Sequence, residues 1–275
     1  MMNGSGAHIN GQSRSQATPT PASASDLLPK APHYREKGSI PNTPLAVSVI
    51  SALLGGVALS SLTLAAQHLL GGSGLGGNWA RPQLGIYGFA WGLFHLCEFW
   101  TTAGWNPLKL SVDAFLLNNT NQYHYAHLFG LGEYFLSSYF FPGKFDSRFC
   151  SAPVILAVCA LLVGGQALRS LAMIHANASF SHVVKDIKHD DHVLITHGVY
   201  SLSRHPSYCG FFYWAIATQL LLGNIISTLV FIFILGRFFS SRIREEEKYL
   251  VRFFGDDYVQ YRRRVGTGLP FLISP

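Results

Sequence analysis

Charge is what this sequence has least of: Asp, Glu, Lys and Arg together make up 12% of its 275 residues, about half of the roughly 25% found in ordinary soluble domains. So few charges exclude a conventional solvated surface and direct the reading toward lipid. Cysteine is scarce too. Cys97, Cys150, Cys159 and Cys209 stand far apart, with no CxxC pair to hold zinc or run redox chemistry and no secretory context that would favour disulfides. They read as small apolar residues. The first residues lack the charged start and apolar run of a cleavable signal peptide, so insertion is expected to begin with the first span. Internal repeats are absent as well. Zinc-finger spacing, an aromatic RNA-binding signature and a dominant basic stripe are all missing, which removes nucleic acid as a partner despite a formal net charge of +6. Lipid headgroups account for that charge better.

Long apolar runs are present instead, in a sequence that is 49% hydrophobic. A helix that crosses a bilayer needs about 20 mostly apolar residues. Residues 44–70 meet this without any Asp, Glu, Lys or Arg. Residues 84–100 form a second run with Glu98 near its end, and residues 125–141 a third with Glu133 inside it. The fourth, 153–173, is apolar except for Gln166 and Arg169. Residues 208–239 are long for one span, and Gly223 with Asn224 at their middle predicts a tight helical hairpin. The expected fold class is all-α: a polytopic integral membrane protein of about six transmembrane helices, the last two a hairpin, with a cytosolic loop and C-terminal tail. Residues 1–43, rich in Ser, Ala, Pro, Gly and Asn, read as a disordered cytosolic tail. Residues 44–275 then form one membrane domain. Lys185, Lys188, Arg204 and the basic residues from Arg242 to Arg264 fall on the cytosolic side, with Lys144 and Arg148 opposite, as the positive-inside rule requires.

Polar residues able to do chemistry gather at the two ends of the hairpin: Arg204, His205, Pro206, Ser207 and Tyr208 before it, Arg242 to Glu247 after it. A hairpin returns the chain to the face it left, so the two clusters can meet in one pocket. Arg242 precedes Glu246 by one helical turn and shares its face. Glu246 is therefore the expected pocket acid, while Glu245 and Glu247, each turned about 100° away, are expected to matter less. Pro206 fixes its own backbone and biases His205 toward an extended one, so that His205 contributes main chain rather than a base. Arg169, an ionisable residue inside an apolar run, is a functional candidate, with snorkelling to the interface as its structural alternative. On pattern alone, Arg242 with Glu246 is more often a surface ion pair. His124 and His127, among Tyr123 and Tyr125, read as interfacial aromatics rather than metal ligands. Asp190 and Asp191, between His189 and His192, read as a solvated loop, so no metal is expected. Arg262 to Arg264 form a headgroup-contacting patch.

The stretches HGVYSLSRHPSYCGFFYWAIATQ, RIREEEKYLVRFFGDDYVQYRRRV and TGLPF, with QALRSLAM and FSHVV upstream, resemble the isoprenylcysteine carboxyl methyltransferase family. RHPxY followed by paired Glu is shared with phospholipid methyltransferases and bacterial relatives; the longer match is specific. The resemblance implies a membrane methyltransferase domain over residues 44–275. Its cofactor would be S-adenosylmethionine, in a cytosol-facing pocket touched by Lys185, His192, Val193, Leu194, Ile195, Tyr200, His205, Pro206, Ser207, Tyr208 and Glu246. It further implies methyl esterification of the C-terminal prenylcysteine α-carboxylate of farnesylated or geranylgeranylated proteins, the final step of CaaX processing. Prenylated CaaX proteins such as small GTPases would be the substrates, and the multi-pass protein would sit in the endoplasmic reticulum membrane.

The residue chemistry agrees with that expectation. S-adenosylmethionine presents an adenine, a ribose, an amino-acid end and a cationic sulfonium, and Tyr200, Tyr208 and Glu246 supply the walls, hydroxyls and carboxylate such a molecule needs. A carboxylate acceptor with a pKa near 4 is already ionised at cytosolic pH, so no general base is required. Positioning is the task. An arginine fork suits the acceptor, and Arg169 and Arg242 are the candidates for both catalysis and substrate binding. A prenyl chain gains about 0.8 kcal/mol per CH₂ from lipid, so it should enter sideways between spans. Other readings stay open: a phospholipid N-methyltransferase with an amine acceptor, a NADPH-dependent membrane sterol reductase, or a membrane scaffold or transporter.

Overall fold

The computed structural model describes residues 40–69, 77–117, 121–188 and 192–270. The expected tail lies outside the described residues up to residue 39, as do His189, Asp190 and Asp191. The tail's last residues are packed: Asn42 is buried and its Oδ1 accepts a hydrogen bond from Val112 N at 2.9 Å.

Among the described residues seven α-helices follow one another, α1 (Pro44–Leu69), α2 (Pro82–Trp105), α3 (Asn121–Phe140), α4 (Ala152–Ala176), α5 (Pro206–Leu221), α6 (Ile225–Phe254) and α7 (Asp256–Arg264), and there is no strand. Proline stands in the first turn of α2, α4 and α5, where its missing N–H is not needed. The chain is an all-α, multi-pass membrane protein. Helices α1, α4 and α6 are each long and apolar enough to cross a bilayer. They leave large apolar side chains such as Leu53, Leu59, Leu156, Val163 and Phe233 uncovered, as a lipid solvent permits. Helices α2, α3 and α5 occupy the remaining expected spans; α5 has 16 residues, roughly 24 Å at 1.5 Å per residue.

The hairpin agrees with the sequence reading in its turn and differs in the length of its second helix. Its turn falls at Gly223, whose φ of 64° suits glycine, but α6 does not stop near Phe239. It continues to Phe254, because Phe239, Ile243 and Glu247 recur on one buried face while charged neighbours point outward. Hydropathy falls there, and helix propensity does not. The first turn of α6 is capped from a distance: Glu133 of α3 accepts from Ile226 N at 2.9 Å, Ser227 N at 2.6 Å and Ser227 Oγ at 2.6 Å. That carboxylate satisfies orphan donors at the positive end of the helix. Asn224 Nδ2 meanwhile donates to Gly130 O at 2.7 Å, tying the same turn to α3.

Helices α4 and α5 touch backbone to backbone. A Cβ on Gly210 would lie 2.6 Å from Gly165 O and 2.7 Å from Arg169 N, and one on Gly165 would lie 2.8 Å from Gly210 O. This approach sets where Arg169 stands relative to the start of α5. Gly210→Ala should therefore destabilise the protein by about 1–3 kcal/mol, as overpacking does, and lower its melting temperature in detergent. Gly164→Ala, one residue from Gly165 and with nothing within 4 Å of the added Cβ, should leave melting unchanged or slightly raised. Equal melting of the two variants would refute close packing at Gly210.

Candidate active site

A cavity of about 670 Å³, its mouth included, opens where the segment after α4, the start of α5 and the distal parts of α6 and α7 converge. Of the residues marked out for the cofactor, His192, Val193, Leu194, Ile195, Tyr200, His205, Pro206, Ser207, Tyr208 and Glu246 line it. Lys185 lines a smaller adjoining recess that shares His192 and Glu246. Ala176, Ser179, Phe180, Ser181, Arg204, Leu250, Phe254, Tyr258 and Tyr261 also line it; of these, Phe180 and the four from α6 and α7 lie within the stretches that carry the family resemblance, but nothing in their spacing marked them as cavity residues.

Tyr208 is the hub of the wall on α5. Its hydroxyl donates to Glu246 Oε2 at 2.6 Å and accepts from Arg242 Nε at 2.8 Å, and its ring stacks between His205 and Phe239. Arg242 and Glu246 thus share a helix face, as their spacing predicts, but meet through the tyrosine hydroxyl. Arg242 Nη2 also donates to His182 O at 2.6 Å, which fixes the strand of chain beside Phe180. Tyr200 donates to Ala172 O at 3.3 Å, and burial, with Glu246 nearby, pushes its hydroxyl above the ordinary tyrosine range. It stays a donor at neutral pH.

The three consecutive acids of α6 have three fates. Glu245 is exposed, Glu246 is half-buried at the cavity, and Glu247 is buried. Glu247 does not match the minor role read from the sequence. Its Oε1 accepts from Arg204 Nε at 2.6 Å and from His205 Nε2 at 3.1 Å, and its Oε2 lies 3.8 Å from Arg262 Nη1. One carboxylate therefore joins α6, the turn before α5 and α7. His205 uses its imidazole in this cluster, besides its backbone. Pro206 is the first residue of α5, so the helix begins at the cavity. The chain after α7 straps the same turn: Arg204 N donates to Gly266 O at 3.0 Å, Arg204 Nη1 to Val265 O at 2.6 Å and Ser203 Oγ to Thr267 O at 2.7 Å.

Arg169 stands behind the cavity wall and does not snorkel. It is 7% exposed, and its guanidinium lies 5.5 Å from the ring centres of both Phe94 and Phe211. Nε donates to Glu98 Oε1, Nη2 to Glu98 Oε2 at 3.0 Å, and Nη1 to Ser207 Oγ at 2.9 Å. Ser207 lines the cavity, so Arg169 is one side chain away from it. Glu98, 1% exposed, was visible in the sequence only as an acid in an apolar run; that oddity was the signal for it. Farther along α2, His95 sits between Phe115 O at 2.7 Å and Tyr123 OH at 2.9 Å, and Tyr87 OH pairs with His127 Nδ1 at 2.8 Å. Tyr123 and His127 thus belong to a polar seam between α2 and α3, where the sequence reading had interfacial aromatics.

This arrangement can enclose a molecule with an aromatic end and hydroxyls, present one carboxylate to it, and hold a guanidinium nearby for an anion. No step in it calls for a side-chain base. Comparison with known proteins points the same way. The sequence pattern of the isoprenylcysteine carboxyl methyltransferase (ICMT) family matches residues 157–252. The protein-S-isoprenylcysteine O-methyltransferase of Saccharomyces cerevisiae is 49% identical over 198 residues, covering 70% of this chain and 83% of the relative. That of Schizosaccharomyces pombe is 46% identical over 204 residues, 68% of this chain and 86% of the relative, and that of Homo sapiens 43% over 190 residues, 69% and 66%. The solved structure of the eukaryotic intramembrane Ras methyltransferase ICMT superposes with a TM-score of 0.74 at 34% identity, covering 82% of this chain and 76% of that one.

Proposed function

Because the chain belongs to the isoprenylcysteine carboxyl methyltransferase family, we propose that its cavity holds S-adenosylmethionine and that Arg169 addresses the carboxylate of a C-terminal prenylcysteine. The enzyme methyl-esterifies that carboxylate. When bound, S-adenosylmethionine supplies an electrophilic methyl carbon on a cationic sulfur, which keeps the bonding pair as the carboxylate oxygen takes the methyl.

The observation that carries the reading is the junction at Ser207. On one side Ser207 lines the cavity with Tyr208 and Glu246; on the other it accepts from the buried guanidinium. Glu246 and the Tyr200 and Tyr208 hydroxyls offer polar partners to the ribose or amino-acid end, and Phe180, Leu194, Ile195 and Phe254 offer apolar walls to the adenine. Lys185, beside the recess, reaches a terminal carboxylate. Arg242 serves this wall by holding Tyr208 and His182 in place. Burial around Arg169 keeps water from the anion, which strengthens every charge contact there.

The substrates on this reading are farnesylated or geranylgeranylated CaaX proteins, small GTPases among them, delivered from lipid to an endoplasmic reticulum enzyme whose cavity faces the cytosol. The test is a methylation assay in membranes containing the chain, with S-adenosylmethionine and N-acetyl-S-farnesylcysteine, its amide, or phosphatidylethanolamine. We expect base-labile methyl ester from the acid alone. Faster methylation of phosphatidylethanolamine, or displacement of NADPH rather than S-adenosylhomocysteine from the protein, would overturn the reading.

A further inference from the structure

The buried pair of Glu98 and Arg169 does more than hold α2 against α4. Glu98 takes one edge of the guanidinium, Nε and Nη2, with both carboxylate oxygens. Phe94 and Phe211 flank the plane at 5.5 Å. The group therefore cannot rotate, and Nη1 is the end that reaches Ser207 at the cavity. Of the five N–H donors of an arginine, the contacts to Glu98, Ser207 Oγ and, at 3.4 Å, Ser207 O leave one uncommitted. An acceptor carboxylate arriving there would meet a guanidinium already paired.

The consequence is one of charge. A lone guanidinium in a buried site would bind an anion strongly by itself. Glu98 cancels that charge, so the anion would bring a second carboxylate to a single cation, and burial makes such an excess expensive. A positive charge in the adjacent cavity restores the balance. A sulfonium carries that charge; the thioether left after transfer does not, and the ester product is neutral. Sharing the guanidinium also keeps the acceptor oxygen from being stabilised more in the ground state than in the transition state.

Resting on the prenylcysteine reading above, we propose that Glu98 is a positioning residue that orients Arg169 toward Ser207 and makes acceptor-carboxylate binding depend on a positive charge in the cofactor cavity. The test uses the full chain in nanodiscs at pH 7 and again at pH 8.5, because His182 Nδ1 lies 3.9 Å from Glu98 Oε2 and the result must be the same at both. Binding of N-acetyl-S-farnesylcysteine and of its amide is measured with S-adenosylhomocysteine or with a non-reactive analogue bearing an amine at the sulfonium position. The acid should bind wild type at least tenfold more tightly with the cationic analogue, and the amide should show no difference. Glu98→Gln should bind the acid tightly with either, abolishing the ratio while kcat falls; Glu98→Asp should restore part of it. A Gln variant that keeps the wild-type ratio overturns the proposal. Should Gln fail to fold, a wild-type ratio near one overturns it just as well. Wild type that methylates neither acid nor amide refutes the prenylcysteine reading instead, an outcome the assay separates from the other two.

Discussion

Glu247→Gln should unfold the cavity, whereas Glu246→Gln should only weaken what it holds. Glu247 faces Arg204, which is 5% exposed, and accepts from its Nε at 2.6 Å. Removing the charge leaves that guanidinium with its carbonyl partner Val265 O but without its anion. Breaking a buried pair from one side costs about 3–5 kcal/mol, a large part of the 5–15 kcal/mol that holds a typical protein together. The loss is also shared among elements, since His205 and Arg262 converge on the same carboxylate. We expect Glu247→Gln to lower the melting temperature in detergent steeply and to abolish S-adenosylhomocysteine binding. Glu246 contacts Tyr208 at a half-buried position, so Glu246→Gln should melt near wild type and bind S-adenosylhomocysteine about tenfold more weakly, the equivalent of roughly 1.4 kcal/mol. Identical melting of the two variants would contradict the assignment of the structural role to Glu247.

Which of two adjacent acids bears the load was not legible in the sequence, and the reason is geometric. Spacing told that Arg242 and Glu246 share a face, and they do. It could not tell that Glu247, turned about 100° further round the helix, meets the turn before α5 rather than solvent, because that depends on how α6 packs 43 residues away from Arg204 in sequence. The same limit hid Glu98. An acid near the end of an apolar run announced itself as unusual, but its partner lies 71 positions on, in another helix. What is local was readable: the hairpin turn at Gly223 and Asn224, the apolar spans, and the stretch from His205 to Tyr208, which lines the cavity. The extent of α6 was misjudged for a physical reason too. Hydropathy reports which residues lipid accepts, and a helix that leaves the bilayer keeps its hydrogen bonds in water. Glu133, read only as an acid inside the third span, caps the neighbouring helix.

Replacing Arg169 by Lys should stop the reaction while sparing most of the fold. An ammonium keeps the charge opposite Glu98, so the buried carboxylate is not stranded as it would be by Arg169→Ala. What is lost is the planar fork. A lysine cannot meet both Glu98 oxygens edge-on, lie between Phe94 and Phe211, and still reach Ser207 Oγ, as the guanidinium does. The guanidinium positions an anion that loses its charge in the transition state, so what its loss removes is alignment; a misplacement of about 1 Å lowers rates by about 100-fold, and we expect a kcat loss of that order with melting only modestly reduced. The pH profile checks what Arg169 acts on. A carboxylate acceptor with a pKa near 4 is ionised throughout pH 6 to 8, so the wild-type rate should owe no slope there to the acceptor. An amine acceptor, protonated across that window, would gain about tenfold per pH unit as its neutral form accumulates. A flat profile with a slow Arg169→Lys variant fits a carboxylate held by a guanidinium. A steep rise with pH, or a lysine variant at full rate, would mean that Arg169 binds α2 to α4 and does nothing for the acceptor.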